Sequence, residues 1–188
     1  MNFEKDILCS LDVLASGGII LYPTDTIWGL GCDATNEVAV EKIYQLKKRS
    51  DEKSLIVLVA AEKDILQYVS EPDLAIFDHL KSVKKPTTVV YRGAINVASN
   101  LIGEDGTLAI RICREEFCKQ LIKRFRKPIV STSANISEQP FPKKFSDIVE
   151  QIKSGVDYVV HYRQDENTVG EPSALIRWEK GKPIILRQ

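Results

Sequence analysis

The 188 residues carry 26 Lys plus Arg against 26 Asp plus Glu, a formal net charge of zero, with 44% apolar and 28% charged residues. This balance counts against a chain whose main task is coating nucleic acid, which normally shows a basic excess, and the length suits one domain, residues 1–188, with a core of its own. The four cysteines (Cys9, Cys32, Cys113, Cys118) form no Cys-x-x-Cys pair, and His79 and His161 are far apart, so reduced thiols in a cytoplasmic protein are expected rather than a structural zinc site.

No apolar run approaches the roughly 20 residues needed to span a bilayer, so no membrane segment is expected. The acidic start Met-Asn-Phe-Glu-Lys-Asp lacks the pattern of a signal peptide. Phe3, Ile7, Leu8, Leu11 and Leu14 recur at helical spacing, predicting a helix over 3–15 that Ser16-Gly17-Gly18 ends. Ile19 to Tyr22 reads as a buried strand stopped by Pro23. Asn36 can cap a second helix to about Lys48, with Val40, Ile43, Tyr44 and Leu46 as its apolar stripe.

Leu55 to Ala60 predicts another strand, followed by helices over 62–68 and 72–80. Strands are predicted over Thr87–Tyr91 and Leu108–Ile112, a helix over Glu115–Phe125 and a strand over Pro128–Val130. A helix over Phe145–Ile152 precedes two tail strands, Ser173–Trp178 and Pro183–Leu186, joined by Glu179-Lys180-Gly181-Lys182 as a hairpin. Alternating strands and helices make the class α/β, with a mixed sheet.

Four segments gather polar residues at strand ends, where open α/β sheets commonly bind ligands. Pro23-Thr24-Asp25-Thr26-Ile27-Trp28-Gly29-Leu30-Gly31 offers two hydroxyls, a carboxylate and two glycines; its ordinary reading is a turn bonding its own backbone. It contains neither nucleotide-binding glycine pattern. Lys47-Lys48-Arg49-Ser50, with Lys53 and Ser54 beyond, either complements the helix macrodipole or cradles phosphate and carboxylate. Ser131-Thr132-Ser133-Ala134-Asn135 either caps a following turn or bonds nucleotide phosphates and ribose. Pro172-Ser173-Ala174-Leu175-Ile176-Arg177 places a serine where a strand begins. His79 lies on a helix beside Phe77 and Leu80, and His161 reads as a packing residue. No Ser–His–Asp set or diagnostic carboxylate pair is present, so the chemistry favours binding and positioning anions over a protein nucleophile.

Taken in order, Pro23-Thr24-Asp25-Thr26, Gly29-Leu30-Gly31, Lys47-x-Arg49 and Ser131-Thr132-Ser133-Ala134-Asn135 resemble the threonylcarbamoyl-AMP synthase family in its short, YrdC-like form, from about Ile7 to the last residue. The resemblance implies a twisted open α/β sheet with a concave ligand-binding face. It also implies a nucleotidyltransferase reaction. L-threonine and bicarbonate (or CO2) give N-carboxy-threonine, which attacks the α-phosphate of ATP, releases pyrophosphate and leaves threonylcarbamoyl-adenylate. Mg²⁺ would accompany the ATP, and a tRNA threonylcarbamoyl transferase would use the product for threonylcarbamoyladenosine in tRNA.

By the same resemblance Lys47 and Arg49 would be catalytic, with Lys47 neutralising the attacked phosphate. Thr24, Thr26, Thr88, Arg111 and Ser133 would bind threonine, and Ser54, Ser131, Asn135, Ser173 and Arg187 the nucleotide. No metal ligands are implied. Trp28 stands where the family usually has tyrosine, and Ser50 where proline often follows the Lys-x-Arg motif. Lys85-Pro86-Thr87-Thr88 lacks the frequent Pro-Gly-Pro, and Cys113 replaces a common proline. The competing readings are a non-catalytic module for double-stranded RNA or ribosomal precursors on the same face, and a carbamoyl-transfer domain of the kind found inside hydrogenase-maturation proteins. Zero net charge counts against the first. The second occurs in much longer chains with zinc-finger segments.

Overall fold

The computed structural model describes residues 3–48 and 55–188. Its elements in chain order are α1 (Glu4–Ala15), β1 (Ile20–Tyr22), β2 (Gly29–Gly31), α2 (Glu37–Lys47), β3 (Ile56–Val59), α3 (Glu62–Ile65), α4 (Ala75–Ser82), β4 (Thr87–Arg92), β5 (Thr107–Ile112), α5 (Glu116–Phe125), β6 (Ile129–Ser133), α6 (Glu150–Ser154), β7 (Tyr158–Val159), β8 (Ala174–Glu179) and β9 (Lys182–Arg187). The strands form one mixed sheet in the order β7-β1-β2-β6-β3-β5-β4-β8-β9. Only β1–β7, β3–β5 and β4–β8 run parallel.

Period-2 alternation sorts the side chains of this sheet into two faces. Leu30, Val57, Val89, Leu108, Ile110, Val130 and Ile176 point to one face and join Val40, Ile43, Ile65, Ile76 and Ile152 from the helices in the larger core. On the other face, Ile20, Tyr22, Leu58 and Ile129 are covered by Ile7 and Leu14 of α1 and by Phe117, Leu121 and Ile122 of α5. That cover takes in Leu58 and Ile129 but only part of Ile56, and not Ser131 or Ser133 further along β6. There the second face stays open, and residues from β2, β3, β4, β5, β6 and β8 line a cavity.

The local signals act as the chemistry dictates. Asn36 caps α2, its Oδ1 accepting from Ala39 N–H at 3.1 Å, and Glu115 caps α5 by accepting from Cys118 N–H at 2.8 Å. In the tail hairpin Lys180 and Gly181 both have positive φ (50° and 73°), as the favoured two-residue turn requires.

Several features depart from the sequence reading. Gly29-Leu30-Gly31 is a strand, not loop: a Cβ on Gly31 would lie 2.6 Å from the Tyr22 ring and 2.8 Å from the Val130 carbonyl, so glycine lets β2 fit between its neighbours. Ser131-Thr132-Ser133 caps no turn but lies within β6, antiparallel to both β2 and β3. The helix predicted over 145–152 is a 3-10 turn at Phe145–Asp147 and then α6. The Asp147 carboxylate folds back to accept from Lys143 and Lys144 N–H, and extended Ile148 carries its side chain into the core.

His161, read as a packing residue, is instead 75% exposed in its side chain and touches Asp6. The Asp6 carboxylate accepts from the Tyr158 hydroxyl at 2.6 Å and from the N–H groups of His161 and Tyr162 at 3.1 and 2.9 Å. Burial works to raise the Asp6 carboxyl's pKa, but these hydrogen bonds outweigh it and hold the group below its ordinary value. A depressed folded value contributes stability that is full above the unfolded value, about 3.9, and is lost as pH falls through the folded one. The wild type is therefore expected to melt well above Asp6→Asn at pH 7, and the gap to shrink below about pH 4. A gap constant between pH 7 and pH 3 would contradict this.

Candidate functional site

The cavity on the open face has a volume of about 480 Å³. Its wall comes from alternate positions of the strands. Thr107, Ala109 and Arg111 of β5 face it while Leu108 and Ile110 point into the core, and Ser131 and Ser133 of β6 face it while Val130 does not. Val90 and Leu175 add apolar floor. Thr26, Phe141, Ser173 and Arg187 close the rim.

The loop between β1 and β2 supplies a relay of hydroxyls. Arg111 Nη2 donates to Thr26 Oγ1 at 3.2 Å, and Thr26 Oγ1 lies 2.9 Å from Thr24 Oγ1. Thr24 Oγ1 donates to Ile27 O at 2.8 Å and accepts from Thr26 N–H at 3.1 Å. A hydroxyl has one proton, so Thr26 must donate to Thr24 and receive from Arg111. Arg111 is buried and also meets Asp25 Oδ1 at 3.2 Å, while its Nε has no hydrogen-bond partner. The Asp25 contact lacks hydrogen-bond geometry, so charge rather than direction holds it.

Ser173 joins the far rim. Its hydroxyl lies 2.8 Å from Thr88 Oγ1, and its carbonyl accepts from Arg187 Nε and Nη2 at 3.2 and 3.1 Å. Burial first, and then the like charge of Arg111, lower the Arg187 pKa. Two guanidinium groups thus face one chamber whose lining includes no carboxylate among the described residues. Such a lining suits an anion.

Of the residues singled out in the sequence, Thr26, Arg111, Ser131, Ser133, Ser173 and Arg187 come together on this wall. Thr24 and Thr88 lie behind it, each bonded to a lining residue. Lys47 and Asn135 are not part of the lining. Buried Lys47 donates from Nζ to Ser133 O, to Asn135 O at 2.6 Å and to Asn135 Oδ1 at 3.4 Å, while its own carbonyl accepts from Ser137 N–H at 2.9 Å. Asn135 Nδ2 donates to the carbonyls of Ile136 and Gln139. Lys47 therefore anchors the chain leaving β6. Arg49 and Ser54 lie outside the described residues. Trp28 packs its ring on Phe145, with centroids 4.8 Å apart, and Cys113 is buried.

Sequence reasoning missed Thr107, whose signal is its place two and four residues before Ala109 and Arg111 on one strand face, and Phe141, which carries none. It also missed a second cavity of about 290 Å³ that shares Thr26, Ile27 and Pro172 with the first and is lined by Lys143, Arg163 and Gly170. There Arg163 Nη1 donates to Thr24 O at 3.1 Å, and Gly170 lies so close to the loop that a Cβ on it would sit 1.9 Å from Thr26 O. The chain before β8 is thus a strap resting on the Thr24–Thr26 loop.

No cluster of three or more His, Cys, Asp or Glu side chains that could hold a metal occurs among the described residues. No helix among them is long and apolar enough to cross a membrane.

Comparison with known proteins agrees with this architecture. A threonylcarbamoyl-AMP synthase of Pseudoalteromonas translucida is 33% identical over 185 residues, covering 97% of this chain and 98% of that protein. A second, from Idiomarina loihiensis, is 35% identical over 164 residues, covering 85% and 86%. The crystal structure of P. abyssi Sua5 complexed with L-threonine superposes with a TM-score of 0.85 at 26% identity; the match covers 98% of this chain but only 54% of that longer one. The model of the Sua5/YciO/YrdC family, described under telomere recombination, matches residues 12–188. With that match over nearly its whole length and a full-length relative one-third identical, the chain belongs to the Sua5/YciO/YrdC family.

Proposed function

We propose that this protein is an L-threonylcarbamoyladenylate synthase, a nucleotidyltransferase that makes threonylcarbamoyl-AMP and pyrophosphate from L-threonine, bicarbonate or CO2, and ATP. The observation that carries the reading is the chamber itself: the buried Arg111 guanidinium, the exposed Arg187 at the rim and a row of hydroxyls around about 480 Å³, with no carboxylate in the lining among the described residues. ATP and bicarbonate are anions, threonine carries a carboxylate, and the relatives carry the synthase name.

The amine of threonine adds to bicarbonate with loss of water, giving N-carboxy-threonine. That carboxylate attacks the α-phosphorus of ATP in line, and pyrophosphate leaves. Such a displacement calls for positioning and charge neutralisation rather than a protein nucleophile. Thr26, Ser133 and Arg111 hold the amino acid and its new carboxylate; Thr24 fixes Thr26 from behind, and Thr88 joins the amino-acid site to Ser173 through its hydroxyl. Ser131, Ser173 and Arg187 take the nucleotide, together with Asn135 and Ser54, and Arg49 is the second catalytic cation, binding carboxylate and phosphate oxygens. Lys47 counters the charge of the attacked phosphate and also braces the wall that holds the amino acid, through its bonds to Ser133 O and Asn135 O. Mg²⁺ would come with ATP and offset the charge of its phosphates; the hydroxyl and guanidinium lining suits a metal carried by the nucleotide rather than one held by protein carboxylates.

The product serves a transferase that passes the threonylcarbamoyl group to tRNA. Four free cysteines support a reducing compartment, the cytoplasm. A duplex-RNA module on the same face finds little support: the net charge is zero, and the lining among the described residues holds two separate guanidinium groups rather than a run of basic side chains.

Incubation with ATP, Mg²⁺, threonine and ¹³C-labelled bicarbonate tests the proposal: mass spectrometry should find an adenylate that carries the label. An unlabelled adenylate would show that bicarbonate is not the carbon source and overturn the reaction as written. The strap adds a second check. Gly170→Ala must push the strap or the Thr26 loop aside, and displacements near 1 Å in such sites cost up to roughly 10²-fold. We expect threonine KM to rise by at least about tenfold, with ATP KM little changed. Unaltered threonine KM would show that the strap does not set the loop.

A further inference from the structure

The β1–β2 loop reaches further than its strands require. β1 and β2 are neighbours, yet residues 23–28 extend to the end of β5, three strands beyond β2, roughly 14 Å at normal strand spacing. The contact at the far end is Asp25. Its Oδ1 lies 3.2 Å from Arg111 Nη2, and its Oδ2 accepts from Arg114 N–H at 3.1 Å. Among the described residues it bonds no backbone N–H of its own loop, a task that Thr24 performs instead. The ordinary turn-forming role of aspartate is therefore not what this side chain does.

The point it grips is rigid. Arg114 donates to the carbonyls of Leu80, Val83 and Lys84 at 2.9, 3.0 and 3.1 Å, fastening the turn after β5 to the end of α4. Arg111 needs such a partner. It is buried, it shares the cavity with Arg187, and Asp25 is the one carboxylate paired with it among the described residues.

We infer that Asp25 is a positioning residue: its carboxylate holds the Arg111 guanidinium by charge and, through Arg114 N–H, clamps the Thr24–Thr26 arch over the cavity, so that Arg111 and the Thr26 hydroxyl present a fixed pair of contacts to the amino-acid substrate. The inference rests on the synthase reading for the identity of that substrate. It needs no direct contact between Asp25 and threonine.

The test is Asp25→Asn, which keeps the shape and an acceptor for Arg114 N–H but removes the charge. Threonine KM should rise about tenfold, the loss of one charge-assisted contact, while ATP KM stays within about twofold of the wild type. Because the clamp acts through Arg111, Asp25→Asn placed on Arg111→Lys should add less than about twofold to threonine KM. Equal effects on both backgrounds would overturn the proposal, as would threonine and ATP KM rising together with a lowered Tm, the mark of a merely structural role. Calorimetric titration with L-threonine alone separates the two layers. Wild type that binds threonine but releases no pyrophosphate defeats the synthase reading, and the clamp is then judged by whether Asp25→Asn weakens that binding about tenfold. Wild type that does not bind threonine defeats both.

Discussion

Replacing Lys47 with methionine is expected to lower stability by about 3 kcal/mol and pyrophosphate release by at least roughly 10²-fold. Lys47 is 1% exposed, and its ammonium is the donor for Ser133 O and Asn135 O. Methionine fills similar space but leaves both carbonyls without that donor, and an unpaired buried polar group costs about 1–3 kcal/mol. The chain leaving β6 then loses its anchor on α2, and with it the placement of Ser133 on the cavity wall. Urea unfolding and steady-state kinetics together read both losses. Stability and kcat/KM within twofold of the wild type would show that the ammonium does not hold this wall.

Arg111→Met should be more damaging to catalysis still. It removes one of the two guanidinium groups facing the chamber and strands Asp25, whose side chain is 9% exposed. Breaking a buried pair from one side costs about 3–5 kcal/mol, the larger part being the carboxylate left behind. The threonine-dependent rate should fall roughly 10²- to 10³-fold, as for removal of a preorganised charge aimed at the reacting centre. Arg111→Lys keeps the charge without the planar fork and should fall between the two. A methionine variant with wild-type kinetics would place the amino-acid site elsewhere.

How far the sequence displayed this site depends on the range of each interaction. Asn36 was legible as a cap because its bond to Ala39 is local. The grouping of Thr26, Arg111, Ser131, Ser133, Ser173 and Arg187 was visible only through the ordered family motifs, since no spacing rule joins residues so distant along the chain. The partners of Lys47 lie 86 and 88 residues away, so its buried role could not be read locally, and cations ending a helix have an ordinary explanation.

The strand at Gly29-Leu30-Gly31 was hidden for a different reason. Glycine weakens isolated strands, and its purpose here is steric, set by Tyr22 and by Val130 of a distant strand. The serines of β6 looked like caps because hydroxyls favour helix starts, but pairing on both sides turned them into strand. Two-residue β7 offers too short a pattern to read at all. The Asp25 clamp required the fold, because only the sheet order shows how far its loop must reach.

The most direct measurement is pyrophosphate release from ATP by the purified protein with Mg²⁺, in the presence and absence of L-threonine and of bicarbonate. Release that needs both is expected. Release independent of threonine, or none from folded protein that binds ATP, would contradict the synthase reading.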